Sequence, residues 1–324
     1  MKNDTKKTPH SQKNPLKFNV SEPSPLMDFL MKKLDGISRS KVKRMLANKV
    51  VSVDGERTTQ FDFALQPGMV VEIGKPTAKE RFRSPWLSIV YEDKYLLVID
   101  KKEGLLTNSP TKEKDTAQSI LNQYFIYTQQ RCRAHTIHRL DRDTSGLMLF
   151  AKSKEVALMF EEDWKNTVYD RRYVAVVCGN MEKKEGMVES WLKDNKAFIT
   201  YSSPTDNGGK FAQTYYKTLY STPRYSLVEL TLETGRKNQI RVHMADIGHP
   251  VVGDPKYGLS AFRQAQGPQG AYDNSLGRLC LHAYKLCFHH PIKKKDLEFE
   301  TPFPKVFGRP FPGMDKKETN TYYE

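Results

Sequence analysis

Apolar positions recur at Leu26, Phe29, Leu30 and Leu34, the spacing of one buried helical stripe, and predict a short first helix. Ser38 or Ser40 can cap a second helix, with Val42, Met45 and Leu46 on its buried face. Lys41, Arg44 and Asn48 fall on another face, with Lys43 close by. Val50 to Val53, the Asp54-Gly55 turn, Pro67-Gly68 and Val70 to Ile73 then read as short strands punctuated by turns. The sum is a helix–helix–strand unit over residues 24–74, close to the smallest size that folds unaided.

Residues 75–86 lose this periodicity, carry basic residues and two prolines, and read as a linker. Beyond it the pattern turns β-rich. Leu87 to Tyr91 and Tyr95 to Ile99 read as strands paired around Glu92-Asp93-Lys94, and further strands are expected at Leu147 to Ala151, Tyr173 to Cys178 and Tyr225 to Leu232. Ser153 caps a helix with Val156, Met159, Phe160 and Trp164 on one face; Ile240, His243, Met244 and Ile247 form another stripe, stopped by Gly248. Strands and helices do not alternate as βαβ units, so the expected fold class is α+β with a mixed, mainly antiparallel sheet over residues 87–305. The polar stretch from Leu259 to Leu276 reads as a long surface loop, and residues 1–22 and 306–324 as tails.

Composition narrows the class. With 38% apolar residues, 16 Tyr, 16 Phe and 3 Trp, the chain can bury a sizeable core, which excludes wholesale disorder. No run approaches 18 apolar residues, and the polar start lacks the apolar stretch of a secretory signal, so the expectation is a cytoplasmic protein without a membrane partner. Cys132, Cys178, Cys280 and Cys287 form no C-x-x-C pair and read as reduced thiols; no metal site is expected. Neither a G-x-x-x-x-G-K-[ST] loop nor a G-x-G-x-x-G fingerprint occurs, and no nucleotide or other cofactor is expected.

Charge points to a partner. Lys and Arg number 52 against 38 Asp and Glu, a net charge of +14, with nucleic acid the leading polyanion. Between Ser38 and Lys49 stand five basic residues and no acid. A merely solvated face would mix both signs, so Arg39, Lys41, Lys43 and Arg44 are candidates for phosphate contact. The segment from Pro25 to Ile73 resembles the S-four-type RNA-binding module, whose usual role is to grip structured RNA through its second helix.

The chemistry gathers in His138-Arg139-Leu140-Asp141-Arg142-Asp143-Thr144-Ser145-Gly146. Taken alone, Asp141 has cationic neighbours that favour its ionised form and could be a nucleophile, a base or a structural ion-pair partner. Composition by itself ranks the structural role first, since ion-pair networks are common beside strands. By pattern alone Tyr173 and Leu281 would be core residues, and Arg241 a surface charge.

The whole string is similar to the signature of the RluA-type pseudouridine synthases, which isomerise uridine in RNA. Two further segments follow in the family's order: Arg172-Tyr173-Val174-Ala175-Val176, and Thr234 to His243 with G-D-x-x-Y-G at Gly253 to Gly258. The resemblance spans roughly residues 25–305 and leans toward the branch acting on large-subunit ribosomal RNA. It implies that Asp141 attacks the ribose or the uracil ring, that Arg241 pairs with it, and that Tyr173 packs on the uracil and assists proton removal from C5. It also implies that Arg139 replaces the flipped base in the RNA stack and that Leu281 and Leu286 complete the pocket's apolar floor. Asn238 departs from the family's usual His, and Leu106-Thr107-Asn108-Ser109-Pro110 from its G-L-x-V-H-P, which affects pocket-edge hydrogen bonds or RNA choice.

The expected protein is therefore a monomeric RNA pseudouridine synthase with RNA as its partner. The alternatives are a noncatalytic RNA-binding assembly factor or a synthase acting on transfer RNA. Asp143-Thr144-Ser145-Gly146 superficially resembles an aspartic-protease motif, but that chemistry needs two copies and the chain has one.

Overall fold

The computed structural model describes residues 16–34, 36–47, 50–74, 84–109, 115–128, 130–258 and 272–312. Residues 1–15 of the expected first tail, 75–83 of the linker, 259–271 of the long loop and 313–324 of the last tail lie outside the described residues, as do Asn48, Lys49 and the side chain of Arg44. The chain divides into two compact units, Met1–Arg83 and Ser84–Glu324.

In the first unit, α1 (Leu26–Lys33) buries Leu26, Met27, Phe29 and Leu30, and α2 (Arg39–Ala47) buries Val42 and Leu46 against it. Ser38 is the cap: its Oγ accepts from the Lys41 N–H at 3.4 Å. Strands β1 (Leu16–Asn19), β3 (Val51–Val53), β4 (Glu56–Arg57) and β6 (Val70–Ile73) form a sheet ordered β1-β6-β3-β4. The short β2 (Ser24–Pro25) and β5 (Ala64–Leu65) pair separately. β1 corrects the expected tail: it pairs antiparallel with β6, and Phe18 and Val20, two residues apart, reach the core. Four residues of a half-exposed edge strand carry too little periodicity to stand out before the partner is known.

The second unit is built on an 11-stranded sheet. Its members are β7 (Leu87–Glu92), β8 (Leu96–Lys101), β9 (His135–Thr136), β10 (Ser145–Ala151), β11 (Val168–Cys178), β12 (Glu185–Asp194), β13 (Thr200–Ser203), β14 (Lys210–Ser221), β15 (Tyr225–Leu232), β16 (Leu281–His289) and β17 (Asp296–Glu300). The main path runs β13-β12-β14-β15-β11-β16-β10-β8-β7, antiparallel except where β10 meets β16 in parallel. That parallel contact fixes Gly146: it has φ 118°, and a Cβ there would stand 2.2 Å from the Ala283 carbonyl oxygen.

Helices α3 (Ala117–Tyr127), α4 (Lys154–Glu162), α5 (Trp164–Thr167) and α6 (Gln239–Asp246) accompany the sheet. Ser153 caps α4, and Val156 and Phe160 pack onto Leu96, Leu147, Leu149 and Phe288. Met159 departs from the expected buried face and is 41% exposed. The helix ends at Glu162, so only the i, i+4 pair reaches the sheet, and Trp164 opens the separate α5. The expected last tail also begins too early: Phe307 and Phe311 are buried, with Arg278 over the Phe307 ring and Phe311 edge-on to Tyr220.

Candidate active site

The sheet's middle strands and α6 enclose a cavity of about 310 Å³. Its lining includes His138, Arg139, Leu140, Asp141, Thr144, Arg171, Tyr173, Leu281 and residues 235–241. Asp141, Tyr173, Arg241, Arg139 and Leu281, more than a hundred residues apart at the extremes, thus share one space. Leu286 does not line it. It lies further along β16, opposite Arg171 on β11, and packs in the core with Leu147, Leu149 and Phe288.

Asp141 stands in the turn that leads into β10, where the Thr144 N–H donates to its carbonyl at 3.2 Å. Three side chains fix this turn. The Thr107 hydroxyl donates to the Leu140 carbonyl at 2.8 Å and accepts from the Leu140 N–H at 3.2 Å. The fully buried Lys101 ammonium donates to the carbonyls of Lys102, Leu105 and Arg142 at 2.8–2.9 Å. His138 Nε2 accepts from the Leu149 N–H at 3.0 Å, and burial, with the nearby Arg171 charge, pushes this imidazole down to about 3, so it is neutral. Thr107 belongs to the segment that departs from the family pattern, and its effect is to hold the backbone just before Asp141.

Cations surround Asp141 as expected, but burial acts against them. Burial pushes the Asp141 carboxyl above the ordinary range, against the pull of Arg241, Arg139, Lys101 and Lys237. Lys101 itself is pushed down to about 8 by burial, with Asp143 and Asp141 opposing. Arg241 Nη1 lies 3.9 Å from Asp141 Oδ2, too long for a hydrogen bond.

The strong partner of Arg241 is Asp254, which the sequence reading left without a role. Arg241 Nε and Nη2 donate to the Asp254 carboxylate at 2.7 and 2.8 Å, a bidentate fork. Asn238 Oδ1 accepts from Arg241 Nη1 at 2.9 Å, and the Tyr257 ring lies 5.0 Å below the guanidinium. Burial opposes the arginine's charge, but the fork to Asp254 and the Asp254 charge, with Asp141 adding, raise its pKa. The G-D-P-K-Y-G segment therefore supplies both the anchor and the platform for Arg241; its matching of a motif was the available signal. Asn238 holds φ 54° at the start of α6, and its amide also donates to the Tyr257 hydroxyl at 3.0 Å.

Tyr173 is 6% exposed, and burial pushes its phenol up, with Asp141 adding to that and Arg171 opposing. A neutral phenol suits packing against a flat ring better than taking a proton. Arg171 stacks over Trp164 at 4.9 Å. Arg139, Arg236 and Lys237 are exposed and rim the mouth with positive charge. In the first unit, Arg39, Lys41 and Lys43 are exposed on α2. Among the described residues no group of His, Cys, Asp and Glu gathers as a metal site, and no helix is long and apolar enough to cross a membrane.

Known proteins resemble this chain over much of its length. Residues 95–246 match the family described as RNA pseudouridylate synthase, a stretch that includes Asp141, Tyr173 and Arg241 and stops short of Asp254. Ribosomal large subunit pseudouridine synthase D of Escherichia coli O157:H7 is 33% identical over 275 residues, 83% of each chain. The uncharacterized RNA pseudouridine synthase YjbO of Bacillus subtilis (strain 168) is 37% identical over 222 residues, 68% of this chain and 73% of its own. Among solved structures, human RNA Pseudouridylate Synthase Domain Containing 1 aligns with a TM-score of 0.52 at 26% identity, covering 78% of this chain and 90% of its own. A cavity built around an aspartate, a tyrosine and an arginine from three motifs in order, with relatives matched over most of their length, makes this chain a member of the RluA-type RNA pseudouridine synthases, isomerases of uridine in RNA.

Proposed function

We propose that this synthase modifies large-subunit ribosomal RNA, as a cytoplasmic monomer, with Asp141 as its nucleophile. The observation that carries the reading is the Asp141 carboxylate facing, at 3.9 Å, a guanidinium already locked by Asp254 within a cavity shared with Tyr173. The ribosomal target rests on the name of the 32–33% identical relatives.

In isomerisation the N1–C1′ bond of uridine breaks, a C5–C1′ bond forms, C5 loses a proton and N1 gains one. Atoms and electrons balance without a co-reactant. Asp141 forms a bond to the nucleotide as N1–C1′ breaks, holds that fragment while uracil reorients, and is released by cleavage of the same bond once C5 and C1′ join. Arg241 keeps the carboxylate charged and aimed, a task suited to a group that does not titrate. Tyr173 and Leu281 pack against uracil, and Arg139 fills the gap that the extruded base leaves in the RNA. Residues 24–74 act as an S-four-type RNA-binding domain, joined by residues 75–86 to the catalytic domain, with Arg39, Lys41, Lys43 and Arg44 on the phosphate backbone.

Tritium release from C5-labelled uridine in transcripts of large-subunit ribosomal RNA and of transfer RNA tests this, for the wild type and Asp141→Asn. The expected result is release from the ribosomal transcript alone, abolished by the substitution. Release from transfer RNA instead would overturn the target, and release by the variant would overturn the nucleophile.

A further inference from the structure

The hairpin joining β12 to β13 ends in a residue that turn geometry would not select. Phe198 N–H donates to the Asn195 carbonyl at 2.9 Å, and Asn195 N–H donates to the Ile199 carbonyl at 2.9 Å. Asn195 Oδ1 accepts from the N–H groups of Ala197 and Ile199 at 2.9 and 3.0 Å. Phe198 closes this tight turn with φ 57°, the left-handed region in which hairpins of this kind use glycine or asparagine. A bulky aromatic there is a steric outlier, and such outliers collect at functional sites.

Packing does not explain the choice, because Phe198 is 74% exposed. The backbone is nevertheless held. The Phe198 carbonyl accepts from Lys237 Nζ at 3.2 Å and Lys256 Nζ at 3.0 Å, and the Lys237 ammonium lies 6.0 Å from the ring centroid. Lys237 pairs with Asp194 at 2.7 Å and lines the Asp141 cavity. The exposed ring therefore stands one lysine side chain from the cavity mouth, with the Lys237 ammonium beside it and Lys256 on its backbone carbonyl. A flat apolar face beside ammonium groups fits an unpaired nucleobase with its phosphates, since every base offers a π-face and stacking tolerates any sequence.

We propose that Phe198 is a stacking residue for an unpaired RNA base next to the target uridine, with Lys256 beside the adjacent phosphate and Lys237, paired with Asp194, holding the turn. This rests on the RNA substrate of the proposed function but not on which RNA it is. Phe198 thereby sets which single-stranded geometry beside the uridine is accepted.

Full-length wild type, Phe198→Gly and Phe198→Trp are compared by tritium release on whichever of the two transcripts the wild type modifies, and by thermal unfolding. Glycine relieves the left-handed strain, so its thermal midpoint should hold or rise while KM rises about tenfold, the loss falling in KM. Tryptophan keeps the stacking face and should stay within about twofold of wild-type KM. Irradiation of the same RNA substituted with 5-iodouridine should crosslink to the peptide containing Phe198. A wild-type KM for the glycine variant, or an equal loss for tryptophan and glycine, would overturn the proposal. A wrong RNA assignment would instead appear as the choice of transcript.

Discussion

The cations of α2 and those around Asp141 obey opposite rules. Arg39, Lys41 and Lys43 stand in water on one helix, and no acid lies within the helix to oppose them. Their interaction with a polyanion is long-range, screened by salt and roughly additive. Arg241 and Lys101 are buried, each hydrogen-bonded in a fixed geometry, and their charges act on Asp141 through a medium that screens poorly. Sign and number suffice to describe the first region, whereas in the second each charge has meaning only through its partners.

The largest effect that would break this contrast is at Asp141. Asp141→Asn should abolish tritium release and, at pH 7, raise the thermal midpoint. Burial raises the folded-state pKa, so the ionised side chain weakens the fold at neutral pH; its stabilising contribution is complete only below the unfolded value of ~3.9 and is lost as pH rises through the folded value. Melting curves from pH 3 to 7 should show the variant's advantage vanish at the acid end. For the same reason the acid limb of the wild-type rate profile should lie above the ordinary aspartate range, and Arg241→Gln should move it further up.

Next in size is Asp254→Asn. It leaves the buried Arg241 guanidinium without its fork, and loss of one partner of a buried pair costs about 3 to 5 kcal/mol. Urea denaturation would measure it; a loss below about 1 kcal/mol would mean that Asn238 and Tyr257 alone hold the arginine. Thr107→Val keeps the shape but removes both bonds to Leu140, and should cost about 1 to 2 kcal/mol with a fall in kcat.

The smallest single effect belongs to α2. Lys41→Ala should weaken RNA binding modestly and reduce the slope of log K against log salt by about one, with the turnover of bound RNA preserved. Filter binding across a salt series would check it. An unchanged slope would remove Lys41 from the phosphate interface and make that face merely solvated.

Much of this was legible in the chain. The α1 and α2 stripes, the β7–β8 hairpin, the Ser153 cap and the Gly248 stop all follow from local spacing and local hydrogen bonding, and they stand where the pattern predicted. β1, Phe307 and Phe311 were missed because their burial depends on partners far along the chain. Leu286 was misassigned because an apolar residue on a strand reads alike whether it faces a cavity or a core.

The sequence carries the residue types of the candidate site and their order, legible through the resemblance of three local motifs to the family and not through composition or spacing, which rank Asp141 as an ion-pair partner, Tyr173 as core and Arg241 as a surface charge. Tertiary structure decided which groups touch. It gave Arg241 to Asp254 rather than directly to Asp141, set Thr107 and Lys101 on the turn before β10, and lifted the Asp141 pKa by burial. Pairing and desolvation depend on distances between segments that are remote in the chain, and no local pattern encodes them.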